Sequence, residues 1–539
     1  MSRALPSLPT RLARAALVLA PAPVREAWRE ITGESHVAAI RTNYAAAQQN
    51  RLMRDWVANC LPPDDEYRGE LRTIRARSRE LVRNNAYADN GARLLKVNVV
   101  GPKGFRLQVA ADERSNRAIE KAWRRYMRRP VTVDRRLRGI PVQELIVELL
   151  YKDGEVFLRH FPTHRSNPFR HAVQFVDPDL VDETFNRDRS RGVNEVRMGV
   201  EIDDDGAPVA YHVGRFSARR LSLAFTERER VPAEEMDHLY VTRRPNQTRG
   251  LPWVLSAALA MRLTDKYEET EAITSRAGSA KMGILVPGPD APDEIVEPVD
   301  EATGAPKRVD IAKTFSANPG GVFVAPRGYD WKDWNPEHPS TAFLPFRKGM
   351  LQKVASGLGP SYVSLANDLE GVSFSSIRQG TMSERDFFMC VQTFVGEGEL
   401  LGWYERWLPV ATLAGQVEIP LGDLTPFLDA TMQGRGWQYV NPVQDVVADK
   451  EAIAGGLWSR TRSLAERGYD PDEIFEELRR EQALAEELGI DVSIAIDKAT
   501  AASALDSSNG SGGSRSTERR QLKGLWARLG HVLSGVDDE

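Results

Sequence analysis

Cysteine is almost absent: Cys60 and Cys390 are the two in 539 residues, far apart and outside any CxxC or Cys/His cluster. That excludes a disulfide framework and a thiolate zinc site. It points to assembly in a reducing compartment, with both thiols expected as small apolar residues in cores. The eight histidines include no pair at i, i+4 on a helix, so each reads as an ordinary core or surface residue. Long apolar runs are missing too. The longest uncharged one, Ala15 to Val24 (AALVLAPAPV), falls short of the roughly 18–20 residues a membrane span needs. It follows Arg3, Arg11 and Arg14 as a secretory signal would, but Pro21 and Pro23 break it and no small-x-small cleavage site follows. A short arm helix is the expectation.

No basic surplus exists. Lys plus Arg is 72 against 76 for Asp plus Glu, a net charge of −4 and a pI near 6.2, whereas proteins that grip nucleic acid through its phosphates are usually basic. Catalytic signatures are absent as well. There is no GxxxxGKS/T phosphate loop, no GxGxxG after a strand, no HExxH and no GxSxG, which leaves an ATP-driven motor, a dinucleotide enzyme and the common hydrolases without support.

Carboxylates do cluster, at Asp177, Asp179 and Asp182 and again at Glu201, Asp203, Asp204 and Asp205. A metal-dependent nuclease would use such groups to hold Mg²⁺, but the first set reads as a turn after a strand and the second as a hairpin turn. Trp253, Trp331, Trp334, Trp403, Trp407, Trp437 and Trp458 could stack on bases. Core or subunit-contact packing explains most of them better, above all Trp403 and Trp407 at i, i+4 beside Arg406.

What is present fills three or four domains' worth of chain at roughly 150 residues each. Residues 60–250 read as one α+β body. YRGELRTIRARSRELVRNNAYADNGARLLKVNVVG gives two helices with a corner at Asn84-Asn85, and RAIEKAWRRYMRR a further helix. Another helix stops at Asp153-Gly154 before a strand through Val156, Phe157 and Leu158. The hairpin is clear: Met198, Val200 and Ile202 alternate, Asp203 to Gly206 turn, and Val209, Tyr211 and Val213 alternate back. A long helix runs from Trp253 to Lys281, with Leu255, Leu259, Leu263 and Tyr267 on one stripe and Gly283 just past its end. A Pro- and acid-rich stretch, a helix near 342–357, the Gly/Ser-rich PSYVSLANDLEGVSFSS and a long helix from Ile377 to Leu408 follow. Asp470 and Glu473 form a capping box for a late helix, and the chain ends in a flexible linker and a basic amphipathic scrap.

Taken in order, YRGELRTIRARSRELVRNNAYADNGARLLKVNVVG, DGEVFLR, VQFVDPDLVD, GVEIDDDGAPVAYHV, RPNQTRGLPW, GLGPSYVSLANDLEGVSFSSIRQG and WQYVNPVQDVVADKEAIAGGLWSRTRSLAERGYDPDEIFEELRRE make the chain resemble the lambda-type portal proteins of tailed phages, over roughly residues 35–495. It departs at Pro360-Ser361, where members often have Val-Pro, and at Ser373, where many have Asn.

The resemblance implies an elongated α+β portal fold that assembles head to tail into a closed ring, typically of twelve. It implies an N-terminal arm at 1–60, a wing at 61–250, a first stem helix at 251–282, a clip at 283–338 and a second stem helix at 339–358. A tunnel loop at 359–376, a long wing helix at 377–412, a crown at 413–500 and a tail at 501–539 complete it. The implied partners are other copies of the chain, a separate terminase motor, major capsid and scaffold proteins, a head-tail connector protein, and double-stranded DNA in transit without sequence specificity. No catalysis, cofactor or metal is implied, nor a membrane partner. The implied location is the capsid vertex of the virion, after assembly in host cytoplasm. Weak charge then suits a channel that must let DNA slide.

Candidate channel residues are Arg276, Lys281, Lys353 and Arg378, with Tyr362, Asn367, Ser373 and Ser375 in the loop; ordinary solvated charges or inter-subunit salt bridges explain the four cations equally well. The alternatives are a metal-dependent DNA-processing enzyme built on the Asp177 and Asp203 clusters, and a non-channel minor capsid protein.

Overall fold

The computed structural model describes residues 60–217, 222–279, 283–289, 296–297, 307–308, 329–333, 342–371, 373–420, 422–439 and 441–489. The expected arm helix, Lys281, most of the expected clip and the tail lie outside these residues. Contacts separate residues 1–66 from 67–539, and the architecture below belongs to the second unit.

Helices α1 (Leu71–Asn84) and α2 (Ala86–Leu95) meet at the expected corner. Asn85 is extended there, and its side-chain oxygen accepts the Ala88 N–H at 2.8 Å, which caps α2. After β1 (Arg106–Val109) come α3 (Glu113–Met127) and α4 (Gly139–Lys152). On α3, Ile119, Ala122, Trp123 and Tyr126 share one buried face, as a 3.6-residue period requires. Helix α4 ends at Gly154, whose φ is +87° and where an added Cβ would stand 2.1 Å from the Leu251 carbonyl carbon. Only glycine fits that crossing.

Strands β2 (Glu155–Pro162) and β3 (His171–Val176) pair antiparallel. A meander follows from β4 (Glu195–Arg197) through β5 (Val200–Ile202) and β6 (Pro208–Ser217) to β7 (Ser222–Pro232). β8 (Met236–Tyr240) then returns to the free edge of β2, giving the order β3-β2-β8. The two sheets close on Phe157, Val176, Val200, Ile202, Tyr211 and Val231. The 203–206 turn is as expected, but Met198 takes φ +46° outside the strand and packs with Tyr67 and Leu71.

Helix α5 (Leu255–Ser279) and α6 (Phe343–Leu358) run antiparallel. The Ser256 hydroxyl donates to the Gly357 carbonyl at 2.6 Å, and the Tyr267 ring stacks on Phe343 at 5.6 Å. Between them β9 (Gly283–Pro287) pairs antiparallel with β10 (Tyr329–Asp333), so Gly283 opens a strand. The buried face of α5 is Ala257, Ala260, Met261 and Thr264, while Leu259 is 73% and Leu263 53% exposed. The leucine stripe thus faces away from the core. Small residues occupy the contact because α6 passes so close that a Cβ at Gly357 would lie 3.2 Å from that of Ala257.

α7 (Tyr362–Ala366) interrupts the expected loop, and α8 (Phe374–Val395) starts ahead of Ile377 because Ser373 caps it. A π-turn, Gly396–Leu400, carries α8 without a break into α9 (Leu401–Leu413). β11 (Ala430–Gln433) then pairs antiparallel with β1. Helices α10 (Pro442–Ala454), α11 (Arg460–Glu466) and α12 (Pro471–Leu488) end the described chain. Asp470 caps α12 as expected, but the Glu473 carboxylate closes no box, because Arg124 holds it at 2.5 Å.

Trp403 and Trp407 lie fully buried among Trp123, Tyr126 and Tyr404, with Trp123 edge-on to Trp407 at 5.0 Å. The cysteine expectation fails. Cys60 and Cys390 are both exposed, and on α8 the inward positions beside Cys390 belong to Phe388 and Val391.

Candidate channel residues and a buried ionic knot

The first carboxylate cluster is neutralised by arginines from elsewhere in the chain. Arg75 and Arg79, one turn apart on α1, reach it together. Arg75 bonds Asp179 at 2.8 Å, Glu183 at 2.8 Å and Glu155 at 3.1 Å; Arg79 bonds Asp153 at 2.6 Å, Asp179 at 2.6 Å and Asp177 at 3.0 Å. Behind them lies Arg249, from the RPNQTRGLPW segment and fully buried. Its Nε and Nη2 bond Glu155 at 2.9 and 2.6 Å, and its remaining N–H groups donate to the carbonyls of Pro178, Val181 and Met198. All five guanidinium donors are satisfied. Burial works against the Glu155 charge, but the Arg249 guanidinium outweighs it and holds the carboxyl well below the usual range.

The second cluster is likewise committed. Glu201 is gripped through both oxygens by Arg230, at 2.8 and 3.0 Å, and that bond holds its carboxyl down at about 2. Asp203 accepts the Asp205 and Ala207 N–H groups of its own turn and Asp204 pairs with Arg189, while Asp182 of the first cluster pairs with Arg228 at 2.6 Å. Arginine or backbone partners thus account structurally for Asp177, Asp179, Asp182, Glu201, Asp203 and Asp204. A cavity of 390 Å³ bordered by Val241, Trp253, Leu358, Phe387 and Phe394 is apolar and has no acid or histidine in its wall.

The described channel candidates are spread over α5, α6, α7 and α8. Arg276 is exposed near the end of α5, and Lys353 is exposed on α6 beside buried Val354. Tyr362 turns inward: its hydroxyl donates to Asp368 at 2.6 Å, and burial together with that bond pushes it up to about 12. Asn367 ends α7 in the left-handed conformation at φ +51° and is exposed. Ser373 accepts the Ser376 N–H at 3.3 Å as the cap of α8, with the exposed Ser375 hydroxyl 3.1 Å away. Arg378 pairs with Asp445 of α10 at 3.1 Å. The loop depends on Glu384, which sequence reading missed and which accepts the Ser361 N–H and the Ser364 hydroxyl, each at 2.9 Å.

Missed as well were Arg75, Arg79, Glu155 and Arg249. The available signal was the i, i+4 arginine pair on α1, together with the DGEVFLR and RPNQTRGLPW segments, whose Gly154 and Gly250 meet where a Cβ at Gly250 would stand 2.2 Å from the Gly154 carbonyl oxygen.

The model of the phage portal proteins of the lambda family matches residues 49–392. The chain is 33% identical over 466 residues to a probable portal protein of Halomonas phage phiHAP-1, covering 83% of this chain and 87% of that one. It is 25% identical over 451 residues to portal protein B of Escherichia phage lambda, covering 75% and 82%. A solved chain from the neck of an empty gene transfer agent particle aligns at 14% identity and a TM-score of 0.44, over 73% of this chain and 94% of that one. The chain belongs to the lambda family of phage portal proteins. Portal protein is the reading supported over a DNA-processing enzyme and over a minor capsid protein of another kind.

Proposed function

We propose that copies of this chain close into a ring at the capsid vertex, through which double-stranded DNA enters and leaves the head, and that the chain itself performs no chemistry. Beside family membership, the observation that carries the ring is the outward face of the helix pair. Leu259, Leu263 and Ile273 on α5 and Leu344 on α6 are 53–73% exposed in the single chain. Apolar surface of this kind marks an association face, and a head-to-tail interface would bury it.

In this assignment residues 61–250 form the wing and 251–282 and 339–358 the stem pair. Residues 283–338 form the clip on which terminase and the head-tail connector dock, 359–376 the tunnel loop, 377–412 the long wing helix and 413–500 the crown. Exposed Arg276 and Lys353 then stand as the DNA-facing cations, with Lys281 beyond α5. Asn367, Ser375 and the 68% exposed Leu369 supply the loop's contacts, while Tyr362, Ser373 and Arg378 hold the loop together.

Negative-stain images of the purified full chain test the ring. Closed rings of one stoichiometry are expected; monomers at every concentration, with scaffold and capsid proteins supplied, would overturn the reading. Incubation with plasmid DNA and Mg²⁺ is expected to leave the DNA uncut.

A further inference from the structure

The buried stripe along α8, the π-turn and α9 runs Val391, Val395, Glu399, Trp403, Trp407, Ala411. Each step is four residues, which in a regular α-helix drifts by about 40°; the wider π-turn removes part of that drift and keeps Glu399 in line. Such turns are frequent at functional sites. An acid is the odd member of this stripe. Glu399 is 0% exposed, and neither of its carboxylate oxygens has a hydrogen-bond partner. A buried carboxyl left in that state is costly unless it is protonated or ligated.

Two other ligating groups converge on it. His160 of β2, Asp237 of β8 and Glu399 each offer an atom within 4.8 Å of the other two. The surroundings fix how the first two point. His160 Nδ1 faces His171 Nε2 at 3.3 Å, and His171 Nδ1 faces the Tyr126 hydroxyl at 2.9 Å. That hydroxyl also accepts the Trp403 indole N–H at 3.3 Å. The chain of rings holds His160 Nε2 toward Asp237, 2.8 Å from its Oδ2. Arg406 holds Asp237 Oδ1 at 2.6 Å. Partners of this sort behind a histidine and a carboxylate are what orient metal ligands. The turn comes close enough because it is glycine-rich: a Cβ at Gly398 would stand 2.7 Å from Leu239 Cδ1. Asp237, 14% exposed, gives the site an edge to solvent.

We propose that His160, Asp237 and Glu399 bind one divalent transition-metal ion, Zn²⁺ or Mn²⁺ in class, which staples the β3-β2-β8 sheet to the long helix. One imidazole nitrogen and two carboxylates suit these ions. The role is structural, and it stands apart from ring formation.

Elemental analysis of the full-length protein, dialysed against Zn²⁺ or Mn²⁺ and then metal-free buffer, tests it. About one ion per chain is expected, with a thermal midpoint that rises several degrees on adding the ion and falls with EDTA. Glu399→Gln and His160→Gln should each lose the bound ion and that rise. A wild-type protein that holds no ion and whose midpoint ignores both Zn²⁺ and EDTA would overturn the proposal and leave Glu399 as a protonated core residue. So would full stoichiometry retained in Glu399→Gln. The wild-type titration decides even where a variant does not fold.

Discussion

Arg249 shows how one side chain can hold a body together. It lies 0% exposed and ties Glu155 to three backbone carbonyls, those of Pro178 and Val181 in one turn and that of Met198. Removing one partner of a buried ion pair strands the other charge, at a cost of about 3–5 kcal/mol. Arg249→Ala is therefore expected to lower unfolding stability by that much in a denaturant titration. Asp204→Ala, removing an acid that is 89% exposed in its pair with Arg189, should cost under about 1 kcal/mol. Equal losses in the two variants would contradict the difference that burial makes. The turn character of both carboxylate clusters was legible in the sequence, because Asp-Pro and Asp-Gly act through neighbouring residues. Their partners were not, since Arg249 and Glu155 stand 94 positions apart and nothing local marks a pair that only the fold brings together.

Among the elements, helices and the hairpin were read closely, because capping and periodicity are short-range signals. Asn85, Gly154, Ser373 and Asp470 each set an element end through contacts a few residues away or through a backbone angle. Which face of a helix turns inward was harder to read. The sequence shows a leucine stripe on α5, yet Ala257, Ala260 and Met261 are buried and Leu259 and Leu263 are not. Close approach of α6 selects small residues, and hydrophobicity alone cannot distinguish a face meant for the core from one meant for another subunit. This gives a test at the level of the helix pair. Leu259→Glu with Leu263→Glu should change monomer stability by less than about 0.5 kcal/mol per site, as surface substitutions do, while abolishing ring assembly in light scattering. A large drop in the melting temperature would instead mean that the stripe packs within its own chain. Of the four-residue row from Val391 to Ala411, the sequence reading took up only Trp403 and Trp407; Glu399, its polar break, went unread.

Across the whole molecule, 72 basic and 76 acidic residues almost cancel, and within residues 61–250 much of that cancellation is local and buried. This makes that α+β body the acid-sensitive part. Glu201 on β5 faces Asn194 just ahead of β4, His212 on the adjacent β6 and Arg230 on β7 beyond it, and its carboxyl is held at about 2. Burial opposes the charge of Asp179, but Arg75 and Arg79 hold it low; burial likewise opposes Asp182, which bonds to Thr184 and Arg228 hold low. Each folded value lies below the unfolded one, so the unfolded chain binds more protons in between. Stability from these acids is complete above about pH 4.5 and drains away as pH falls toward 2. His212 is lowered by burial against the pull of Glu201, with Arg187 and Arg230 adding to the effect. Its share is present above about pH 6.5 and begins to be lost below it. Both kinds of group therefore act in the same direction. Hydrogen exchange followed from pH 7 to pH 3, corrected for the intrinsic rate, should show β4 to β7 losing protection before α5 and α6. Uniform loss along the chain, or protection lost first in the helix pair, would show that these pairs do not set the acid limit of the fold.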